Sequence, residues 1–377
     1  MEPSAPATYW LECMHLIAGL LGLLVVALVL VEFFLVYLLP RRVRRDPRFA
    51  RQLNVVAWET FRAGAGRLRP KTADTVLGFF GPLAVLATLG GWVVGLILGF
   101  AAMDWATGDR IGAARAGFSE DLYYSAAGLF SVTTGVSPAG TLGRILHVAE
   151  AAAAYGVIFV VIGYLPALYQ AFSRREVTVS LLDPRAGSPP SAAALIVASG
   201  KRGSWADVDA YLEKWEEWTS ELMESHLSYP VLTHFRSQHV NQNWLAALTT
   251  VMDASALALA AAPEGAVDSA QITYRIGRHA LSDLSFTLRV KPVVLQHERL
   301  SRAELADLLT ELDRIDLPHE PADTIARRLR ELRSAYEPHA WALAQYLVFD
   351  LPRWVAPEPR ANWKGGYWRR YHHEPHA

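Results

Sequence analysis

Three long stretches of the sequence are almost free of charged side chains. They run from Leu16 to Leu39, from Thr75 to Met103 and from Ile145 to Ser173, and only Glu32 and Glu150 interrupt them. A helix crosses the hydrocarbon core of a bilayer with about 20 apolar residues, and a charge near mid-depth costs a few kcal/mol. The sequence therefore predicts an all-α membrane protein with three transmembrane helices.

Composition supports this class and excludes several others. Hydrophobic residues make up 52% of the 377-residue chain and charged residues 19%, which is too apolar for two ordinary soluble domains. The 36 Lys and Arg nearly balance the 37 Asp and Glu, so net charge does not suggest a nucleic-acid partner. Cys13 is the single cysteine, which excludes an intrachain disulfide and a thiol-based metal centre. We expect no bound cofactor.

The distribution of basic residues predicts the orientation of the helices. The only basic residues in 104–122 are Arg110 and Arg115. The segment 41–74 has ten: Arg41, Arg42, Arg44, Arg45, Arg48, Arg51, Arg62, Arg67, Arg69 and Lys71. Because loops rich in Lys and Arg stay in the cytoplasm, segment 41–74 is predicted to be a cytoplasmic loop, and its basic residues 41–51 are also expected to contact anionic lipid. The N-terminus then lies outside, and the chain after the third helix lies inside, as in a multi-pass protein of the inner membrane.

The first apolar stretch is predicted to be a retained helix. Its start, MEPSAPATYWLE, is acidic rather than basic, and the apolar run is longer than that of a cleaved signal peptide. Residues 1–40 are therefore expected to form an extra N-terminal transmembrane helix with its N-terminus outside.

The remainder of the chain divides into three parts. Residues 183–204 are rich in Pro, Ser, Gly and Ala, which predicts a linker over 176–204. Residues 205–350 carry apolar stripes at helical spacing, which predict a mostly α-helical cytoplasmic domain. The tail 351–377 interleaves aromatic and basic residues, a pattern suited to anionic lipid, to an acidic groove of a partner, or to a loosely ordered end.

One stretch of the cytoplasmic part is nearly long enough to span a membrane. It runs from Trp244 to Ala262 and holds Asp253 at its centre. A fourth transmembrane helix is one interpretation. A buried helix of the cytoplasmic bundle, with Asp253 in a hydrogen bond, is the interpretation we favour, because a carboxylate in the middle of a lipid-exposed helix is costly.

The segment 120–140, between the second and third apolar stretches, has the pattern of a re-entrant loop. Glu120 and Asp121 favour a helix N-terminus, about three apolar turns follow, and the stretch from Ser131 to Ser137 is rich in hydroxyl groups. Irregular backbone survives at membrane depth only where protein shields it or where it lines a wet path. A short helix that points its negative end at such a segment suits a cation pathway.

Residues 75–175 resemble the module of two transmembrane helices and one pore loop found in the potassium channel superfamily. The outer helix, the pore loop 120–140 and the inner helix 145–173 occur in the expected order. The motifs that carry the resemblance are Leu122-Tyr123-Tyr124-Ser125 in the pore helix, Val136-Ser137-Pro138 and Leu142-Gly143-Arg144 after the filter, and Ile162-Gly163-Tyr164-Leu165-Pro166 in the inner helix.

The filter departs from the pattern of that superfamily, since TVGYG is absent. One alignment places Ser131, Val132, Thr133, Thr134 and Gly135 on the filter, and another places the five residues from Thr133 to Ser137 there, including Val136. Only one glycine remains in either case, and losing a filter glycine costs about 1 kcal/mol or more. Single-glycine filters occur in the Trk/Ktr/HKT potassium transporters, which the Thr-Thr-Gly sequence also resembles.

The resemblance implies a tetrameric cation channel with potassium as the expected monovalent ion. A filter needs about four pore loops around one axis, so a chain with one loop must assemble as a homotetramer. Gly156, Gly163 and Pro166 are candidate gating hinges in the inner helix, although such residues also serve helix packing. Two alternatives stay open: the loop is an extracellular turn, or the module is a non-conducting anchor for a sensing or scaffolding domain.

Other chemistry finds little support in the sequence. There is no HExxH, GxSxG or dinucleotide-binding motif, so we do not expect an enzyme. His226, His234 and His239 do not share a helical face, which argues against a metal site. Glu32 and Glu150 are expected to form structural pairs rather than to bind ions, Glu150 with Arg144 or His147.

Overall fold

The chain divides into two units, Met1–Gln170 and Ala171–Ala377. The structure is a computed structural model that describes residues 5–38, 49–108, 110–111, 114–115, 117–132, 134, 140–200, 203–237, 242–294 and 298–355. The basic residues 41–48 and the tail from 356 onward, with their predicted lipid contacts, lie outside these ranges.

The described residues of the first unit are helical apart from one pair of two-residue strands. Its elements are α1 (Ala5–Phe33) with a π-helical extension (Phe34–Leu38), α2 (Phe49–Ala65), α3 (Pro70–Thr107), β1 (Arg110–Ile111), β2 (Ala114–Arg115), α4 (Phe118–Leu129) and α5 (Thr141–Ala186). The two strands pair antiparallel. Helix α5 begins in the first unit and ends in the second.

Four described helices are long and apolar enough to cross a membrane. Three of them are α1, α3 and α5, which cover the three predicted transmembrane stretches, and the fourth is α8 (Trp244–Ala261). Helices α3 and α5 hold 38 and 46 residues. At 1.5 Å per residue both exceed the ~30 Å hydrocarbon thickness, so parts of each must lie outside it. The architecture is that of a helical membrane protein.

Helices α1 and α3 pack with their backbones in close approach. A Cβ atom on Gly22 of α1 would lie 2.5 Å from the carbonyl oxygen of Gly99 in α3. A Cβ atom on Gly99 would in turn lie 2.6 Å from Cγ2 of Val26. Small residues let transmembrane helices approach closely and gain dispersion energy along the contact. Gly22 and Gly99 therefore allow the short distance between α1 and α3.

This close contact predicts a difference between two glycines of the same helix. Gly99→Ala should lower the stability of the protein in detergent by about 1–3 kcal/mol, because the added methyl group forces α1 and α3 apart. Gly90→Ala is the matched control, since no described atom lies within 4 Å of a Cβ at Gly90. Thermal unfolding of both variants checks this. Equal thermal unfolding midpoints for the two variants would contradict the close contact between α1 and α3.

The loop predicted for residues 41–74 contains folded structure, which corrects the sequence-based division. Helix α2 fills much of it because its sequence is amphipathic. Trp58 is buried, and its ring lies 4.9 Å from that of Phe80. The carboxylate of Glu32 accepts the Ala50 N–H at 2.5 Å, close to the start of α2, and Trp92 Nε1 donates to it at 3.3 Å. Glu32 is thus a structural partner, as expected.

The second unit is a bundle of helices. Besides the end of α5 it contains α6 (Ala192–Ser199), α7 (Trp205–Ser228), a 3₁₀ helix (Pro230–His234), α8 (Trp244–Ala261), α9 (Asp268–Leu288), α10 (Arg302–Arg314), α11 (Ala322–Ser334) and α12 (Glu337–Leu347). The structure thus bears out a mostly helical second part. Ser301 accepts the Glu304 N–H and Glu304 returns the bond, a capping box that starts α10.

The segment predicted as the linker 176–204 is mostly helical, and this too is a correction. Its first part continues α5 to Ala186, and its second part forms α6. Leu195 and Ile196 of α6 are fully buried in the core of the bundle. The predicted linker contains a run of Ala, Leu, Ile and Val. Such a run favours a helix when neighbouring helices bury its side chains.

Helix α8 lies at the centre of the bundle, where 94% of its residues are buried. Asp253 accepts from Arg299 Nη2 at 2.7 Å and from the Tyr336 hydroxyl at 2.5 Å. Arg299 Nη1 also donates to Glu337 at 2.9 Å, and Glu337 accepts from Arg333 Nε at 3.0 Å. Two arginines, Arg299 and Arg333, and two carboxylates are thus joined in a largely buried cluster. This favours the buried-helix interpretation over a fourth transmembrane helix.

A second buried cluster fixes the end of α5 within the bundle. Arg175 is 2% exposed and donates to the carbonyl oxygens of Leu232 at 3.0 Å and Phe235 at 2.8 Å. Its Nη1 lies 3.1 Å from Nε2 of His226, whose Nδ1 lies 2.7 Å from the Leu222 carbonyl oxygen. Both contacts are satisfied when a neutral His226 donates from Nδ1 and accepts at Nε2.

Two histidines of the second unit, His226 and His234, predict a loss of stability in acid. Burial lowers the pKa of His226 well below its ordinary value and that of His234 to about 3. An unfolded histidine titrates near pH 6.5, so below that value the unfolded chain binds protons that the folded chain excludes. Stability should therefore fall by up to about 1.4 kcal/mol per pH unit for each histidine.

Chemical unfolding of the full chain from about pH 7.5 to about pH 5 measures this slope. His234→Gln should reduce the slope, whereas His279→Gln should leave it unchanged because the His279 side chain is 65% exposed. A slope that is the same in both variants and the native chain would contradict the assignment.

Candidate pore site

Helix α4, of 12 residues, lies where the sequence predicts a pore helix. It starts after Gly117, whose carbonyl oxygen accepts the N–H groups of Glu120 and Asp121. At 1.5 Å per residue the helix is ~18 Å long, well short of the ~30 Å of a hydrocarbon core. Helix α4 packs against α3. It has the length of a helix that enters the membrane without crossing it.

The predicted pore-helix residues point in two directions. Tyr124 and Ser125 are buried, 4% and 0% exposed, whereas Tyr123 is 65% exposed. The Tyr124 ring lies 5.1 Å from the ring of His147 on α5. One face of α4 therefore packs within the chain, and Tyr123 lies on the face that is left uncovered.

Ser125 links α4 to both flanking helices. Its Oγ lies 3.0 Å from the carbonyl oxygen of Ile97 on α3 and is also hydrogen bonded to Oε1 of Glu150 on α5. Glu150 is fully buried. The sequence predicted that Glu150 pairs with Arg144 or His147, and the structure corrects this by giving it Ser125. Helical spacing within α5 could not reveal a partner on another helix.

Gly128 gives α5 room to approach the last turn of α4. A Cβ atom at this position would lie 3.2 Å from Oε2 of Glu150 and 3.2 Å from Cε1 of His147. This spacing is tighter than ordinary van der Waals contact. Sequence analysis did not identify Gly128, since its importance depends on side chains about twenty positions later in the chain.

The end of α4 is fixed by hydrogen bonds that lead into the predicted filter. The Ser131 N–H donates to the Gly128 carbonyl oxygen and the Val132 N–H donates to that of Ala127. Ser131 has a φ of 57°, the left-handed conformation that often ends a helix. Its Oγ lies 3.4 Å from the hydroxyl of Tyr155 on α5.

Most of the predicted filter lies outside the described residues. The filter residues that are not described are Thr133, Gly135, Val136 and Ser137. Among the others, Ser131 and Val132 are exposed and Thr134 is half-buried. The alignment of the filter therefore stays a prediction.

The candidate hinges lie within one continuous helix, since α5 runs unbroken from Thr141 to Ala186 through Gly156, Gly163 and Pro166. No described atom lies within 4 Å of a Cβ built on Gly156 or on Gly163. Packing within the described chain therefore does not require glycine at either position.

No cluster of three or more metal-ligating His, Cys, Asp or Glu side chains is found in the described part of the chain. Of the three histidines considered above, His226 is buried, His234 is half-buried and His239 lies outside the described residues. No protein-family model, curated protein or solved structure matches the chain.

Proposed function

We propose that this chain is a subunit of a cation channel, with potassium as the preferred ion. The observation that carries the proposal is α4, a helix too short to cross a bilayer that is held between two span-length helices and followed by a hydroxyl-rich segment. A helix C-terminus carries a partial negative charge that favours cations in front of it. Hydroxyl and carbonyl oxygens from residues 131–137 would replace the water around the ion.

The surface of the first unit supports assembly as a homotetramer. Tyr123, Phe130 and Val132, at the uncovered side and the end of α4, are 65%, 63% and 54% exposed. On α5, Phe159 and Ile162 are 69% and 64% exposed. Lipid covers such residues on the outside of a membrane protein, but residues beside a filter would contact neighbouring subunits. Four pore loops would then surround one axis.

We place the gate in α5. A Cβ at Gly156 or Gly163 would meet no neighbouring described element, so close packing does not explain these glycines, and we assign them to bending of α5. Pro166 lacks a backbone N–H and offers a third point of bending. Because α5 continues into the second unit, a change there has a direct covalent route to the gate.

We place the N-terminus outside and the second unit in the cytoplasm, following the basic segment 41–74. Arg51 and Arg62 on α2, together with Arg67, Arg69 and Lys71, would lie near the anionic inner leaflet. The tail 351–377 would make similar contacts.

The test is a flux assay on the purified protein in liposomes, with potassium compared against sodium. We expect uptake that is faster for potassium and a native mass equal to four chains. A folded tetramer that carries neither ion, over a range of pH and voltage, would contradict the proposal. That outcome would favour a pore module retained as a membrane anchor and oligomerisation element.

A further inference from the structure

We propose that Glu150 is a neutral, protonated carboxylic acid that holds the pore helix, and that its ionisation removes a hydrogen bond between α4 and α3. Glu150 would thus be a positioning residue for conduction. The functional consequence rests on the proposed channel activity, whereas the protonation state does not.

The proposal follows from counting hydrogens at Ser125. Its Oγ is in hydrogen-bond contact with two acceptors, the Ile97 carbonyl oxygen at 3.0 Å and Oε1 of Glu150. A serine hydroxyl carries one hydrogen. If Glu150 were ionised, one of the two contacts would bring two oxygens together with no hydrogen between them. If Glu150 carries a proton, it donates to Ser125 and Ser125 donates to Ile97, so both contacts are satisfied.

The surroundings of Glu150 also oppose a charge. The side chain is fully buried, and its Oε2 has no hydrogen-bond partner among the described residues. Among the described residues, the charged or titratable groups that face it are Asp104 of α3, Tyr124 of α4 and His147 of its own helix. None of these is a fixed cation. A buried carboxylate with no cationic partner, beside another carboxyl group, is strongly disfavoured relative to the neutral acid.

Glu32 provides the contrast within the same unit. It is also a mostly buried acid, but it accepts from two N–H donors, those of Ala50 and Trp92. Those contacts need acceptor oxygens and no carboxyl proton. The two acids therefore differ in their hydrogen-bond partners: Glu32 contacts only N–H donors, whereas Glu150 contacts a hydroxyl whose hydrogen has a second acceptor.

Ionisation of Glu150 would move its proton to bulk water and change the link. Ser125 would then donate to the carboxylate, and the Ile97 carbonyl would lose its Ser125 donor. Helix α4 would keep its contact with α5 and lose one with α3, immediately before the predicted filter. Raising the pH should therefore reduce flux.

The experiment compares the native chain with Glu150→Gln across a pH series. Glutamine can donate from its amide to Ser125 and cannot ionise. We expect flux through the native channel to fall at alkaline pH and flux through E150Q to stay constant. Glu32→Gln is the matched control and should keep the native profile. Identical pH profiles for the native chain and E150Q would overturn the role in conduction.

Infrared difference spectra supply a readout that needs no conduction. At neutral pH the carbonyl band of a protonated carboxylic acid should be present in the native chain, absent in E150Q and present in E32Q. If the band is found and no flux is seen, the protonation of Glu150 stands and the channel proposal fails. If E150Q removes no such band, the inference about Glu150 is wrong whether or not the protein conducts.

Discussion

Arg299→Ala is expected to lower the stability of the second unit by about 3–5 kcal/mol. The Arg299 side chain is 8% exposed and joins Asp253 and Glu337, at 2.7 and 2.9 Å. Without Arg299, the buried carboxylates of Asp253 and Glu337 each lose a positively charged partner. Breaking a buried ion pair from one side costs about 3–5 kcal/mol, a large share of the ~5–15 kcal/mol that stabilises a typical domain.

Chemical unfolding of the full chain, with hydrogen exchange to locate the loss, measures this effect. Arg302→Ala is the matched control, because Arg302 lies three positions away and is exposed. The stability of Arg299→Lys should lie between those of R299A and R302A, since lysine keeps the charge but lacks the planar guanidinium that contacts both carboxylates. Equal stability of R299A and R302A would show that the cluster contributes little.

The double substitution Thr133→Ala, Thr134→Ala is expected to reduce cation flux to the level of protein-free liposomes. Both alignments of the filter include these threonines, and their replacement removes two hydroxyl groups per subunit, which makes eight in the proposed tetramer. A filter works by replacing the water around the ion with protein oxygens, so their loss should raise the barrier to entry.

The matched control for this flux experiment is Thr141→Ala, an exposed threonine at the start of α5. T141A should conduct as the native protein does, and all three proteins should have the same native mass. Undiminished flux through a folded double variant would place the pathway elsewhere in the protein.

Much of the helical architecture could be predicted because its signals are local. Apolar runs of sufficient length identified α1, α3 and α5. Glu120 and Asp121 marked the start of α4, and the spacing of Ser301 and Glu304 marked the start of α10. The central position of Asp253 in an apolar helix indicated a buried polar contact. Each of these signals lies within a few turns of chain.

The contacts that position the candidate site could not be predicted because their partners are distant in sequence. Ser125 meets Ile97 and Glu150, which lie on other helices. Gly128 matters only because α5 approaches it. The same reason explains why α6 was predicted as linker: its burial depends on helices that follow it in the chain.

The most direct test of the proposed pore is cysteine accessibility at Thr134. Cys13 is the single native cysteine, so Cys13→Ser gives a background without reactive thiols. Thr134→Cys in this background should be modified by a small, positively charged thiol reagent added from outside, with loss of flux, and high potassium should slow the reaction. Thr141→Cys should react without loss of flux. Complete modification of Thr134→Cys with flux unchanged would contradict a pore lined by this segment.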